Sequence, residues 1–196
     1  MLAIDQAMNA AGLAPRQIKR IAVSVGPGGF TSVRLAVTTA KCIAEATGAQ
    51  CFAVPTTLVA AYRFMAHLAA NAQPTAPFAI ALASKGDDAY IQAFEVRDAS
   101  PVPLTQGQVL DAAAFERLAH TSRITTLLAD GFLPAPIRDC AARLNIAIAP
   151  IALDPVACLA ASRTIEPVDP VALLPIYPRE PEAVTKWRAL HADKKR

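Results

Sequence analysis

The chain has 196 residues, of which 54% are hydrophobic and 18% charged, and its formal net charge is +3. These values exclude an intrinsically disordered chain, and the apolar runs are far shorter than the roughly 18 residues that a membrane-spanning helix needs. The first residues also show neither the basic region nor the long apolar region of a secretion signal, so we expect a soluble, cytoplasmic protein. The weak positive charge permits a nucleic-acid partner but does not indicate one by itself.

Apolar periodicity and turn residues predict the order αβαβα for the first part of the chain. The predicted elements are a helix at 1–11 ended by Gly12, a strand at 21–25, a helix from a Thr31 cap to about Thr47 with Gly48 after it, a strand at 51–54, and a helix opened by Pro55 and Thr56 that runs to about Ala70. The Pro-containing loop at 71–77 then separates the two halves.

The second part of the chain is predicted to begin with an antiparallel meander. Its elements are strands at 78–84, 89–96 and roughly 104–110, a helix from an Asp111 cap to about Ala119, a strand at 124–129, a helix at 136–145, a strand at 146–151 and a helix at 154–162. The order βββαβαβα is typical of a ribonuclease-H-like module. The first half equals this module without its three-strand meander.

We therefore predict an α/β protein with an actin-like (ASKHA) architecture, in which a ribonuclease-H-like module is duplicated and the first lobe lacks its N-terminal three-strand meander. The predicted division is an incomplete first lobe at 1–73, a second lobe at 74–178 and a basic tail at 179–196. The basic residues around Trp187 in this tail could contact tRNA, but a frayed, solvated terminus is the preferred interpretation.

The stretch "VSVGPGGFTSVRLAV" at 23–37 places glycines and a proline between the strand and the helix. A bound phosphate is one interpretation, because glycines expose backbone N–H groups and a helix N-terminus favours an anion. The stretch matches neither G-x-x-x-x-G-K-[ST] nor G-x-G-x-x-G. A tight turn that packs the helix on the sheet, and a surface for a neighbouring chain, are the alternatives.

The sequence predicts no catalytic or metal centre. Three histidines, His67, His120 and His191, lack the spacing of metal ligands. The four cysteines form no C-x-x-C pair and lie in apolar surroundings, so all of them are predicted to be small buried hydrophobes; they are Cys42, Cys51, Cys140 and Cys158.

The segment 21–48 resembles the strand, the G-P-G-S-F-T-G-[LIV]-R loop and the following helix of the bacterial family called TsaB or YeaZ. Further matches are "ASKGDDAYIQAF" at 83–94 and "PIYPREPEA" at 175–183, whereas Gly29 and Ser32 depart from the loop motif. Members of this family begin with a strand and a hairpin before the helix that matches 1–11. The resemblance therefore implies an N-terminally shortened member.

In this family the two helices of the first lobe form a bundle with equivalent helices of a catalytic partner. The resemblance implies that the partner-binding positions here are Gly26, Pro27, Gly28, Phe30, Thr31, Val33, Arg34, Val37 and Lys41. Phe30 would be an anchor and Arg34 a charged contact, with a core phenylalanine and a solvated arginine as alternatives. The first helix adds a stripe of small residues that includes Ala3, Ala7 and Ala11.

The resemblance implies a non-catalytic scaffold subunit of the tRNA threonylcarbamoyladenosine machinery. Its partners would be a TsaD-like threonylcarbamoyl transferase, a small TsaE-like P-loop ATPase and, indirectly, tRNA, while a homodimer stays open. ATP and metal would be used by the partner subunits and no cofactor by this chain. One alternative is an independent nucleotide-binding enzyme of the actin and sugar-kinase superfamily. Another is a poorly folding remnant, because strand 21–25 would lack its covering meander.

Overall fold

The computed structural model describes residues 2–71, 76–84 and 86–179, together with Val184, Trp187, Arg188 and His191. The predicted loop at 71–77 and the basic tail at 179–196 lie mostly outside the described residues. No helix within the described ranges is long and apolar enough to cross a membrane.

The first lobe follows the predicted order of elements. It contains α1 (Leu2–Ala10), β1 (Arg20–Ser24), α2 (Phe30–Thr47), β2 (Gln50–Val54) and α3 (Thr56–Ala70). The two strands are parallel, in a register that pairs Arg20 with Gln50 and Ser24 with Val54. One face of α2 is buried at helical spacing and packs on this strand pair. Gly48 ends the helix in the left-handed conformation, as its position after Thr47 predicts.

The second lobe holds one mixed sheet with helices packed on it. Its elements are β3 (Phe78–Ala83), β4 (Ala89–Arg97), β5 (Ser100–Pro103), β6 (Gln108–Leu110), α4 (Ala112–Ser122), β7 (Thr126–Ala129), α5 (Ala135–Arg143), β8 (Ala147–Pro150) and α6 (Pro155–Ala161). β4 is antiparallel to β3, whereas β7 is parallel to β3 and β8 is parallel to β7. β5 and β6 both pair with β4, on different parts of it.

The third strand of the meander differs from its prediction at 104–110. It is divided into β5 and β6, because Thr105 interrupts the backbone ladder with β4. The Ala93 N–H donates to the Thr105 side-chain oxygen at 3.2 Å, and the Gln92 amide donates to the Thr105 carbonyl at 3.1 Å. Side chains thus supply hydrogen bonds that a continuous strand would make through its backbone.

The start of α2 also differs from its prediction. Gly29 is the N-cap residue, and no side-chain hydrogen bond caps the helix. The Val33 N–H donates to the Gly29 carbonyl at 3.0 Å, so the first helical turn closes before Thr31 could cap it. Thr31 instead lies within the first turn and is exposed.

Helix α3 joins the two lobes through two apolar clusters. One side of it packs on the second sheet, where Phe78 is stacked on Phe94 with ring centroids 5.6 Å apart. Val59 on α3 packs with residues of α6, among them Ala161. Complete burial of the Phe78 and Phe94 side chains stabilises the folded state by about 2 kcal/mol for each side chain.

Each lobe thus contains two parallel strands with a helix between them and a helix after them. In the second lobe these strands are β7 and β8. The meander lies next to them, because its first strand, β3, pairs with β7. In the described part of the first lobe, β1 and β2 form a two-stranded sheet without a counterpart of the meander. This is the actin-like, duplicated ribonuclease-H-like architecture that the sequence predicts.

Candidate partner-binding surface

The glycine turn, residues 25–29, follows the carboxyl end of β1 and is tied to the neighbouring elements. The Val25 N–H donates to the Val54 carbonyl at 2.9 Å, and the Thr56 N–H donates to the Gly26 carbonyl at 2.9 Å. Because β1 and β2 are parallel, their carboxyl ends lie side by side, and this is the sheet edge where binding sites of α/β proteins form. The turn is therefore fixed to the beginning of α3.

Gly26 brings the turn against a distant part of the same chain. Its φ is +102°, and a Cβ at this position would lie 2.9 Å from the Ile176 carbonyl oxygen. The Ile176 N–H donates to the Val25 carbonyl at 2.7 Å. Gly26 and Pro27 are buried. The space that the missing Cβ of Gly26 leaves open is therefore occupied by another segment of the same chain.

We call this segment, residues 165–179, the C-terminal strap. It leaves the second lobe after α6 and returns to the first lobe, where the Val168 N–H donates to the Cys51 carbonyl of β2 at 2.8 Å. Leu173 inserts into the core beneath α2 and is 1% exposed. Lys41 of α2 donates to the Val171 carbonyl at 3.0 Å. The strap is thereby fastened to both β2 and α2.

At the N-terminal end of α2, an exposed aromatic and cationic cluster joins the helix to the strap. The Phe30 ring is 57% exposed, and its centroid lies 5.5 Å from that of Tyr177. The Arg34 guanidinium carbon lies 4.3 Å from the Phe30 centroid, which is the geometry of a cation–π contact. Phe30, Arg34 and Tyr177 therefore form one exposed contact group.

The nine residues that the family resemblance implies divide into two sets. Gly28, Phe30, Thr31 and Arg34 are exposed, Lys41 is partly exposed, and Gly26, Pro27, Val33 and Val37 are buried. Val33 and Val37 pack in the core between α2 and the strands, so their side chains do not reach the surface. The exposed face of α2 carries Leu35 as well, which is 67% exposed.

Helix α1 is exposed along its described side chains, except for the half-buried Met8. The predicted stripe at Ala3, Ala7 and Ala11 therefore faces solvent in this chain. Gly12 has a positive φ of +63° where the helix ends, as predicted from the periodicity.

Tyr177 and the exposed residues around it on the strap are functional candidates that sequence reasoning missed. Their partner Phe30 is far away in the sequence, and no local pattern reports a contact over such a separation. A weak signal is the "PIY" in the segment at 175–183, which the resemblance matched without assigning it a role.

The histidines and cysteines of the described residues form no metal cluster, and the cysteines differ in their exposure. No group of three or more His, Cys, Asp or Glu side chains there could hold a metal ion. The prediction that all four cysteines are buried is wrong for Cys42, which is exposed on α2 because it lies opposite the core face. Burial raises the pKa of the other three thiols, which belong to Cys51, Cys140 and Cys158. The pKa of Cys158 rises to about 11. Such thiols are poor nucleophiles.

Comparison with known proteins adds a family and a fold. The family model described as TsaD, tRNA N6-adenosine threonylcarbamoyltransferase, matches residues 1–152. YeaZ from Pseudomonas aeruginosa superposes with a TM-score of 0.68 at 21% sequence identity, over 88% of this chain and 80% of that chain. A second structure from the same organism, an uncharacterized protein with similarity to peptidase YEAZ, gives a TM-score of 0.62 at 22% identity, over 90% and 81% of the two chains. None of the curated protein sequences matches this chain.

The two structural likenesses support the actin-like fold, and the family match covers well over half of the sequence. The chain therefore belongs to the TsaD family of the tRNA threonylcarbamoyladenosine system and is a YeaZ-like protein within it.

Proposed function

We propose that this chain is a non-catalytic scaffold subunit of the TsaB/YeaZ type. It pairs with a TsaD-like threonylcarbamoyl transferase and supports N6-threonylcarbamoylation of the adenosine beside the anticodon in tRNAs that read codons starting with A. A small TsaE-like P-loop ATPase belongs to the same complex, and the partner subunits use ATP and metal. The proposal includes a cytoplasmic location and contact with tRNA through the transferase.

The observation that carries the proposal is the exposed Phe30 ring in contact with Arg34 and Tyr177. An exposed aromatic ring gains the favourable free energy of burial only when another surface covers it. Aromatic residues and arginine are also the residues on which binding free energy is concentrated at protein interfaces. The cluster therefore has the composition of an interface anchor.

The buried members of the implied set support the same surface from beneath. Val33 and Val37 hold α2 on the sheet, and Gly26 lets the strap approach the turn closely. Lys41 fastens the strap through the Val171 carbonyl. In this proposal Phe30, Thr31 and Arg34 contact the transferase, while the buried residues fix the position of the helix that presents them.

The competing function is nucleotide binding by the chain alone. It is disfavoured because the Ile176 backbone occupies the close-approach position at Gly26. A carbonyl oxygen at that place repels a phosphate, which binds where N–H groups converge. A nucleotide-binding enzyme would show a higher melting temperature in the presence of ATP, whereas the scaffold proposal predicts no shift.

The function is tested by reconstitution. The transferase, the ATPase, tRNA and threonylcarbamoyl-adenylate are combined with and without this chain, and the modified nucleoside is measured by mass spectrometry. We expect modification to require this chain and to fall at least about tenfold with the Phe30→Ala variant. Equal modification without the chain would overturn the proposal.

A further inference from the structure

The net positive charge of the chain belongs to the tail, residues 179–196. Residues 1–178 contain thirteen basic and thirteen acidic residues, so this part is formally neutral with histidine counted as uncharged. The tail contains six basic and three acidic residues and thus carries the whole net charge of +3. Five of its basic residues follow Glu180 and Glu182, with Asp193 as the one carboxylate among them; they are Lys186, Arg188, Lys194, Lys195 and Arg196. Such a distribution attracts a polyanion to the tail and not to the body of the protein.

The described part of the tail carries an aromatic pair on a helical turn. Val184, Trp187, Arg188 and His191 are helical and exposed, and their spacing places them on one face of a helix. The Trp187 and His191 rings are stacked, with centroids 4.5 Å apart and an interplanar angle of 24°. The His191 Nδ1–H donates to the Trp187 carbonyl oxygen at 2.7 Å and so holds the imidazole beside the indole. Trp187 is still 61% exposed, so much of the indole is available to a further ring.

Exposed aromatic rings beside basic residues are the groups with which proteins bind the bases and phosphates of RNA. Trp187 lies between Lys186 and Arg188 in the sequence. An indole stacks on a base of any identity, while neighbouring basic side chains contact the phosphates. The tail has three large apolar residues, Val184, Trp187 and Leu190. These are too few for the broad apolar face of a membrane-surface helix, so the composition favours RNA as the polyanion.

The tail begins beside the surface proposed for the partner. Tyr177, near the end of the strap, contacts Phe30 of α2, with ring centroids 5.5 Å apart. Two residues later, Arg179 is paired with Asp88 in the turn between β3 and β4. The chain is therefore anchored to both lobes just before the basic residues of the tail. A transferase that binds at Phe30 lies next to this anchor, so the tail starts at the edge of the proposed interface.

We propose that the tail is a direct RNA-binding site of this chain, in which Trp187 stacks on an unpaired base of the tRNA and the basic residues around it contact phosphates. This inference rests on the proposed function, because that function brings tRNA to the complex. It goes beyond it, because the proposed function includes contact with tRNA only through the transferase. The stacked pair of Trp187 and His191 favours this role over a purely solvated terminus.

The test is fluorescence anisotropy of a labelled, unmodified tRNA that reads codons starting with A, titrated with the assembled complex of this chain and the transferase. We expect Trp187→Ala to weaken binding by about tenfold and to leave its salt dependence unchanged, because stacking releases no counterions. Trp187→Phe retains a ring and should weaken binding less. Lys194→Gln combined with Lys195→Gln should reduce the slope of log affinity against log salt concentration by about two.

The matched control removes the same charge from the second lobe. Arg117→Gln combined with Arg123→Gln changes two exposed arginines, one within α4 and one directly after it. This variant should leave both the affinity for tRNA and the salt slope unchanged. Light scattering verifies that each variant forms the complex, and thermal melting verifies that it is folded.

The outcomes separate this inference from the proposed function. A complex that forms normally but binds tRNA equally well with the wild-type chain and with the tail variants would overturn the inference and leave the scaffold function intact. If the wild-type chain does not join the transferase, the proposed function fails. The same titration with this chain alone then decides the inference: weaker tRNA binding by the tail variants supports it, and equal binding overturns it.

A membrane surface is the competing polyanion. Vesicles of phosphatidylserine and phosphatidylcholine test it with the same variants. Tail-dependent binding to these vesicles, without tail-dependent binding to tRNA, would show that the inference is wrong.

Discussion

At Gly26 the backbone combines a φ of +102° with a close contact to the Ile176 carbonyl. We predict that Gly26→Ala lowers the free energy of unfolding by about 2 kcal/mol, because alanine adds left-handed strain and a steric conflict. Chemical denaturation measures the change.

The matched control for this substitution is Gly48→Ala. Gly48 has a φ of +71°, but a Cβ added there would meet nothing within 4 Å, so this variant reports the conformational strain alone, about 1 kcal/mol. Equal losses at Gly26 and Gly48 would show that the close contact between Gly26 and the strap contributes nothing to the loss, contrary to this prediction.

Because the Cys158 thiol is buried, we predict that the protein loses stability at alkaline pH. Burial raises its pKa from 9.0 to about 11, so the folded chain binds the proton more tightly than the unfolded chain does. The stabilisation is complete below the unfolded pKa and is lost as the pH rises through about 11. Between these two pH values, the urea concentration at the midpoint of unfolding should fall less steeply with pH for Cys158→Ala than for the wild-type chain. An identical slope in both proteins would contradict the prediction.

Accessibility distinguishes the cysteines in a second way. Cys42 is exposed, whereas Cys51, Cys140 and Cys158 are buried. We expect a thiol reagent to label one cysteine rapidly in the folded protein and all four after denaturation. Cys42→Ser should remove the rapid phase. Rapid labelling that persists in this variant would show that another thiol is accessible.

Among the elements, helix α4 offers a direct test of local structure. The Asp111 carboxylate accepts from the Ala114 N–H at 2.7 Å and caps the helix, as the sequence predicts. We expect Asp111→Ala to lower the free energy of unfolding by about 1 kcal/mol, because an amide donor of the first turn loses its partner. Asp111→Asn retains an acceptor and should cost much less. Equal losses for the two variants would show that capping is not the cause.

The elements of both lobes were predictable because apolar period and turn chemistry are local. The helix at 30–47 and the strands around it follow from such patterns, as does the order of the second lobe. The break in the third strand was not predictable, since it depends on Thr105 meeting β4 in three dimensions. The burial of Val33 and Val37 also depends on three-dimensional contacts. Apolar periodicity identifies their face of α2 as apolar but does not specify whether the sheet or a partner covers it.

The strap is the element that the sequence did not reveal as part of the site. Its contacts with Val25, Phe30 and Lys41 join residues far apart in the chain, and hydrogen bonds to backbone carbonyls leave no side-chain pattern. The family resemblance named the α2 side of the proposed surface, and Tyr177 joins the proposal only through its ring contact with Phe30 in the structure.

In the whole molecule, α3 packs between the lobes, and the strap returns from the second lobe to the first. Arg179, near the end of the strap, is paired with Asp88 in the turn between β3 and β4. The strap thus contacts both lobes beside the surface proposed for the partner. This arrangement supports the proposal that the chain presents a fixed surface to a partner.

The proposed function requires this chain to pair with the transferase subunit through the α2 surface. Size-exclusion chromatography with light scattering on the mixed subunits measures it most directly. We expect a one-to-one complex that Arg34→Glu abolishes and that Arg117→Glu, at an exposed arginine of α4, leaves intact. Separate elution of the wild-type subunits, or a complex that Arg34→Glu does not disturb, would contradict it.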